Sequence, residues 1–254
     1  MTIRTETSEG VARIEIARPE KKNAITGEMY LALAEAVHAA QADPAVRAVV
    51  LHGARDIFTA GNDLDDFLQA AGQREDPPVF RFMSALTAID KPVVVAVNGP
   101  AVGIGTTLLL HCDLVYCADD AVFSMPFVSL GLCPEFASSL LVPLNAGYRR
   151  AAEKLLLGEP ISAEEAVEMG IVNRILAPAD VLSYALRQAA RFNSLPPGAV
   201  RASKRLLKSG WAAAIERQIG EESARFAERL ASPEAKEAFR AFFERRKPDF
   251  SRFD

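Results

Sequence analysis

Cysteine and histidine are scarce in this sequence, with three residues of each among 254. Three cysteines without paired spacing do not suggest a disulfide framework, so we expect a reducing environment and a cytoplasmic protein. The histidines lack the spacing of metal ligands, which predicts no metal site. No G-x-S-x-G segment occurs either, and a Ser-His-Asp hydrolase is therefore not indicated.

Long apolar runs and an excess of positive charge are also missing. The longest apolar runs, such as residues 93–97, are far shorter than the roughly 20 residues of a membrane helix. The N-terminal segment lacks the apolar region of a secretory signal. The 29 basic and 33 acidic residues give a formal net charge of −4, which argues against a general nucleic-acid binder. We therefore expect neither a membrane nor a nucleic acid among its partners.

Half of the residues are apolar, and their pattern divides the chain into two parts. Up to about residue 124, strand-like runs alternate with helical segments, which favours an α/β core with crossover connections. From about residue 135 onward, nearly every segment has helical periodicity. The NSLPPG segment near residues 193–197 predicts a boundary between a core over 1–195 and a C-terminal helical region over 196–254. The polar stretch 65–78 is predicted to be a mobile connection.

Two glycine-containing loops have the same organisation: an apolar strand, the loop, and then the predicted start of a helix. They are FTAGNDL (residues 58–64) and VNGPAVGIG (residues 97–105). Such turns leave backbone N–H groups unpaired, and these groups can bind an anionic oxygen. Neither loop has the Lys-Ser/Thr of a P-loop or the spacing G-x-G-x-x-G, so a nucleotide site is not favoured. Taken singly, each loop is explained equally well by glycines that only allow close packing.

Taken together, the loops resemble a known family. FTAGNDL is similar to the pattern F-x-[AS]-G-x-D-[LF], and VNGPAVGIG to [VI]-x-G-x-[AV]-x-G-x-[GS]. Three more segments match in order: ARPEKKNAI (17–25), GEPISAEEAVEMGIVNRIL (158–176) and FFERRKPDF (242–250). These segments span nearly the whole chain. They resemble the crotonase superfamily, also called the enoyl-CoA hydratase/isomerase family.

The resemblance implies a fold, a substrate class and an assembly. The fold is a crotonase-like spiral of repeated ββα units with a C-terminal helical trimerisation region, and the assembly is a homotrimer or hexamer. The substrate is an acyl-CoA thioester, so no separate cofactor is needed. By position, the thioester oxygen accepts from the backbone N–H groups of Asn62 and Ile104. These two donors stabilise the oxygen when it becomes negative on deprotonation of the α-carbon.

The two carboxylates that serve hydration in this family are missing. Their positions are occupied by Thr107, in GIGTTLL, and by Phe127, in SMPFVSLG. A single acid follows in the same region, Glu135 of GLCPEFASS. This segment resembles that of peroxisomal-type Δ3,Δ2-enoyl-CoA isomerases, in which the corresponding glutamate is the base. One carboxylate suffices to move a proton from C2 to C4, and an apolar wall that includes Phe127 would raise its pKa.

Other interpretations stay open at this point. From the residues alone, a solvated residue at a helix start is the more common explanation of Glu135, since an acid after Pro134 is frequent there. An enoyl-CoA hydratase and a ring-opening isomerase of the epoxyphenylacetyl-CoA type are alternatives within the family. A catalytically silent CoA-binding protein is the alternative outside enzymes.

Further contacts with the substrate follow from the resemblance. The basic Lys22 in the N-terminal loop and Lys247 near the C-terminus are expected to face the CoA phosphates, although either could be a solvated surface charge. The remaining expected contacts with the substrate are made by Ala24, Ala60, Gly61, Asp63, Leu64, Gly103 and Phe127.

Overall fold

The computed structural model describes residues 2–54, 56–70 and 77–253 of the chain. Its strands, in chain order, are β1 (Ile3–Ser8), β2 (Val11–Ile16), β3 (Ala48–Gly53), β4 (Val93–Val97), β5 (Pro100–Val102), β6 (Leu114–Ala118), β7 (Val122–Ser124), β8 (Ile161–Ser162) and β9 (Arg174–Leu176).

The α-helices occupy the first half sparsely and the second half densely. In chain order they are α1 (Gly27–Ala42), α2 (Leu64–Ala70), α3 (Pro78–Ala88), α4 (Ile104–Thr107), α5 (Ser138–Ala146), α6 (Tyr148–Leu156), α7 (Ala163–Glu168), α8 (Val181–Ala190), α9 (Pro197–Ser209), α10 (Ala212–Leu230) and α11 (Pro233–Phe243). None of the helices in the described part of the chain is both long and apolar enough to span a membrane.

The strands form two sheets. The large sheet has the order β1-β2-β3-β4-β6-β9, and the small one has the order β5-β7-β8. The units β4–β5 and β6–β7 each place their first strand in the large sheet and their second in the small sheet. Thr59, after β3, pairs with Ala101 of β5 in the same manner. This repetition confirms the predicted spiral of ββα units.

The large sheet is covered on both faces, which explains the continuous apolar run of its central strand. From β2 to β9 the neighbouring strands are parallel, and parallel strands of this kind need crossover connections. One face packs on α1 and α3 through the main core. The other face packs on α8, where Val181, Ala185 and Ala189 contact Val50 and Val94. All five residues of β4 are buried, as expected for a strand covered on both faces.

The C-terminal helices cover the core of the same chain. Phe239 of α11 is buried, and Phe226 and Leu230 of α10 pack against the main core cluster. Phe242 and Phe243 remain exposed. Lys204 of α9 donates a hydrogen bond to Asp113 at 2.6 Å, which joins this region to the large sheet.

The expected loop over residues 65–78 is wrong in its first part. The structure has α2 there, because Leu64, Phe67 and Leu68 form an apolar side that packs against the main core. Residues 71–76 of that stretch lie outside the described residues, so the predicted mobility of that part stays a prediction.

Candidate active site

The first glycine loop carries an N–H group that no neighbour uses. The N–H of Ile25 donates to Gly61 O at 2.8 Å, and the N–H of Asp63 donates to Ile25 O at 2.9 Å. In this parallel bridge, the N–H of the residue between them, Asn62, points to the opposite side. It has no hydrogen-bond partner within the described ranges.

The second glycine loop leads into α4. Gly103 has φ +57° and ψ −117°, a conformation that residues with a Cβ rarely adopt. Its carbonyl accepts from the N–H groups of Thr106 and Thr107 at 2.9 and 3.0 Å. The N–H of Ile104, at the first position of the helix, is left without an acceptor in the part of the chain that the structure describes.

The two loops contact each other through their backbones. A Cβ built on Gly61, whose φ is +86°, would lie 2.7 Å from the carbonyl oxygen of Val102 and 4.0 Å from the nitrogen of Gly103. Only glycine permits this approach. Asn62 and Ile104 directly follow the two glycines that meet, so their unpaired N–H groups lie on adjoining loops. Such a pair can stabilise a negatively charged oxygen.

The N-terminal loop fixes the first glycine loop in place. Arg18 forms an ion pair with Asp63 at 2.7 Å and donates to Ala24 O at 3.1 Å. Burial acts to raise the pKa of Asp63, but the hydrogen bonds from Arg18 and from the N–H groups of Asp66 and Asp65, with the charge of Arg18, together lower it. The N–H of Ala60 donates to Lys22 O at 3.0 Å. These contacts give Asp63 a structural task in the loop.

Glu135 is a buried carboxyl rather than a solvated helix cap. It is 9% exposed, and its Oε1 atom is buried with no hydrogen-bond partner among the described residues. Burial, followed by the charge of Glu222, raises the pKa of Glu135 from 4.5 to about 8. A buried carboxyl with one free oxygen and a raised pKa is suited to proton transfer.

Tyr30 contacts the first glycine loop and is a residue of the site that the sequence did not predict. Its hydroxyl donates to Asn62 Oδ1. Burial first, and the nearby Glu135 carboxyl second, raise the pKa of Tyr30 above its ordinary value. Tyr30 therefore contacts the side chain of Asn62 and lies within electrostatic reach of Glu135. The available signal was its position beside Met29 on the buried side of α1.

Apolar and uncharged side chains occupy the positions where hydratases of this family have acids. Phe127 is buried, and its ring packs edge-to-face on Phe226 at a centroid distance of 6.5 Å. Phe226 in turn packs on Phe67 at 6.1 Å. Thr107 is fully buried, and its hydroxyl has no partner in the described part of the chain. These two positions thus hold a buried aromatic ring and one unpaired hydroxyl, and neither supplies a carboxylate.

The structure brings together most of the residues expected at the site. The two glycine loops hold Ala60, Gly61, Asn62, Asp63, Gly103 and Ile104, with Lys22 and Ala24 bonded to the first loop or to its partner Arg18. Leu64 begins α2 directly after that loop. Lys247 is exposed beyond the end of α11. Among the described residues, no hydrogen bond or ion pair joins it to either loop. No cluster of three or more metal-binding side chains occurs among those residues.

A ββα spiral that carries two unpaired N–H donors on adjoining loops, together with a buried carboxyl, is typical of the crotonase class. A family model described as enoyl-CoA hydratase/isomerase matches residues 6–252. The chain therefore belongs to this family, the crotonase superfamily, and it is an acyl-CoA-processing enzyme by membership.

Individual relatives divide among several reactions. The chain is 36% identical to enoyl-CoA delta isomerase 2 of Rattus norvegicus, over 94% of this chain and 63% of that protein, so it spans less than two thirds of that relative. It is 34% identical to 4-chlorobenzoyl coenzyme A dehalogenase-1 of Arthrobacter, over 92% of this chain and 91% of that protein. Others in this range are named as hydratases.

A solved structure shows the same fold over the full length. An enoyl-CoA hydratase/isomerase from Pseudoalteromonas atlantica has a TM-score of 0.94 and 42% sequence identity, with 98% of this chain and 100% of that chain covered. The fold and the class of substrate follow from these comparisons, and the particular reaction has to be argued from the site.

Proposed function

We propose that this protein is a Δ3,Δ2-enoyl-CoA isomerase with Glu135 as the proton shuttle. The Glu135 carboxylate removes a proton from C2, and the electron pair moves onto the thioester oxygen, which accepts from the N–H groups of Asn62 and Ile104. The resulting carboxylic acid then donates its proton to C4, and the double bond moves from C3–C4 to C2–C3. The observation that carries the proposal is the buried carboxyl of Glu135, whose Oε1 atom has no hydrogen-bond partner among the described residues.

The raised pKa of Glu135 suits both halves of this reaction. A base whose pKa is about 8 removes the weakly acidic C2 proton more readily than an ordinary carboxylate does. After that step, the protonated carboxyl is a stable neutral acid in its apolar surroundings. It keeps the proton until C4 takes it, because water is excluded there.

The neighbouring carboxyl argues against hydration by two acids. Glu222 is the carboxyl that influences Glu135 most, but both of its oxygens already accept hydrogen bonds, from Ala137 and Ser139. Thr107 and Phe127 provide no carboxylate. A water molecule would therefore lack the second acid–base group that hydration of an enoyl thioester requires.

The test is turnover of a 3-enoyl-CoA, followed by the ultraviolet absorbance of the conjugated 2-enoyl product. We expect Glu135→Gln to lower kcat by about 10²–10⁴-fold. The control is Glu221→Gln, an exposed glutamate of α10, which should retain wild-type turnover. An unimpaired Glu135→Gln variant would reject the proposed role.

Two other outcomes would point to the alternatives. Hydration of a 2-enoyl-CoA that survives the loss of Glu135 would identify a hydratase or a related family reaction. Tight CoA binding without turnover on a broad panel of acyl thioesters would identify a catalytically silent binding protein.

We also propose that the chain forms homotrimers, alone or paired as hexamers, through the helical region over residues 196–254. The support is a set of exposed apolar side chains in that region, which a solitary chain would leave in water. They are Leu206, Leu207, Trp211, Phe242 and Phe243. Light scattering after gel filtration measures the assembly, and a mass equal to one chain would reject it.

A further inference from the structure

The turn that carries Glu135 has an unfavourable backbone conformation. Phe136 and Ala137, the two residues after the carboxyl, both have φ +56°. This left-handed region is unfavourable for every residue with a Cβ. Two such residues in succession persist only where their surroundings hold them.

Glu222 of α10 holds this turn from one side. Its Oε2 atom accepts from the N–H of Ala137 at 2.5 Å. Its Oε1 atom accepts from the N–H of Ser139 at 2.9 Å and from the hydroxyl of the same residue at 2.5 Å. Because all of these groups are donors, the site requires an acceptor at both oxygens, which a carboxylate provides and an amide does not.

His111 holds the turn from the other side. Its Nε2–H donates to Phe136 O at 2.8 Å, and its ring stacks on the Phe136 ring at a centroid distance of 3.8 Å. Burial lowers the pKa of His111 to about 4, so the imidazole is neutral. The turn is thus fixed at both of its left-handed residues by side chains from distant parts of the chain.

We propose that Glu222 is a positioning residue for Glu135, which it keeps aimed at the substrate by bracing the left-handed turn together with His111. This inference rests on the proposed function and deepens it. A single carboxyl has to reach two carbons that are two bonds apart, so its placement matters twice in each turnover. Burial raises the pKa of Glu222, and its hydrogen bonds with Ser139 and Ala137 act against that rise. In its ionised form, Glu222 favours the protonated form of Glu135.

Two other titratable groups interact with Glu135, and neither is charged in the pH range in which Glu135 titrates. Tyr30 of α1 and Cys133 of the same segment are electrostatically coupled to Glu135. Burial raises the pKa of each above its ordinary value, so both are neutral while Glu135 titrates. Glu222 is then the charged neighbour whose removal should change the behaviour of Glu135.

The first experiment compares the kinetics of Glu222→Gln, Glu222→Asp and Glu221→Gln. Glutamine places an NH₂ group against a backbone N–H, and aspartate is too short to bridge both nitrogens. We expect each change at Glu222 to lower kcat about 10–100-fold, with KM changed less than about twofold because the CoA contacts are untouched. Glu221→Gln should match the wild type.

A second readout does not depend on turnover. The infrared difference between the wild type and Glu135→Gln reports the titration of the Glu135 carboxyl in the ligand-free protein. In the Glu222→Gln background its midpoint should fall, because the neighbouring charge is lost and water enters the loosened turn. Glu222→Asp keeps the carboxylate and should lower the midpoint less than Glu222→Gln does.

The outcomes separate this inference from the proposed function. Wild-type kcat in a folded Glu222→Gln protein overturns the positioning role. If the wild type has no isomerase activity, the proposed function fails, and the carboxyl titration decides alone: an unchanged midpoint in Glu222→Gln overturns the inference and a lowered one supports it. If the glutamine variant does not fold, the same criteria apply to Glu222→Asp.

Discussion

Replacing Glu135 by glutamine should stabilise the protein increasingly as the pH rises. The pKa of Glu135 is about 8 in the folded protein and about 4.3 in an unfolded chain. Between these values the folded protein holds a proton that the unfolded chain has released. Stability therefore falls as the pH rises through this window, and it is not reduced below it. Glutamine carries no such proton, so the variant does not suffer this loss.

The size of the effect follows from the two pKa values. At about 1.4 kcal/mol for each pKa unit, the raised pKa of Glu135 lowers the stability of the wild type by about 5 kcal/mol near pH 9 and by about 1 kcal/mol near pH 5. Relaxation around the carboxylate reduces this cost. We expect the stability gap between variant and wild type to widen by about 2–4 kcal/mol. That corresponds to about 5–10 °C in the unfolding temperature of a chain of this length.

Calorimetric unfolding of both proteins near pH 5 and near pH 9 measures this gap. The other titratable groups are common to both proteins and cancel in the difference. Glu221→Gln removes a carboxyl whose side chain is 64% exposed, and its gap to the wild type should stay the same at both pH values. A gap for Glu135→Gln that does not widen would refute the conclusion that ionisation of Glu135 is unfavourable in the folded protein.

Three further predictions concern the same site. The kcat/KM of the wild type should rise with pH to a plateau, with a midpoint near the pKa of about 8 given for Glu135; a midpoint near 4.5 would contradict it. Gly61→Ala should lower kcat about 100-fold or more, because its Cβ would lie 2.7 Å from Val102 O and displace an N–H donor. Gly198→Ala, which meets no atom within 4 Å, is its control. Asp63→Asn should weaken the 2.7 Å contact with Arg18 and so loosen the first glycine loop. Initial-rate kinetics should then show KM raised several-fold, which corresponds to a loss of about 1 kcal/mol in substrate binding.

The sequence predicts the two glycine loops and singles out Glu135 because each lies in a short, recognisable segment. Gly61 and Gly103 have backbone conformations that only glycine adopts easily, so the requirement is visible as a residue type at a fixed spacing. Glu135 is similarly marked by the proline and apolar residues around it. Segments of this kind predict a site without knowledge of the rest of the fold.

The groups that hold the site together have no such local signal. Glu222 reaches Ala137 from 85 residues further along the chain, and His111 reaches Phe136 from 25 residues before it. On a helical periodicity plot, Glu222 is one more acid in a helix rich in charge. Its role depends on the packing of α10 against α5, which only the three-dimensional structure shows.

The cost of ionising Glu135 and its proposed use in catalysis have the same physical origin. An apolar site without hydrogen-bond donors to Oε1 disfavours the carboxylate, and this makes the carboxylate a stronger base toward carbon. The same site would be of little use if the turn could rearrange and expose the carboxyl to water, since the pKa would then return toward its ordinary value. The hydrogen bonds of Glu222 and His111 prevent that rearrangement. Glu135 and the hydrogen bonds that hold its turn therefore act together. A change to Glu135, to Glu222 or to His111 should alter both the stability of the protein and the pH dependence of the rate.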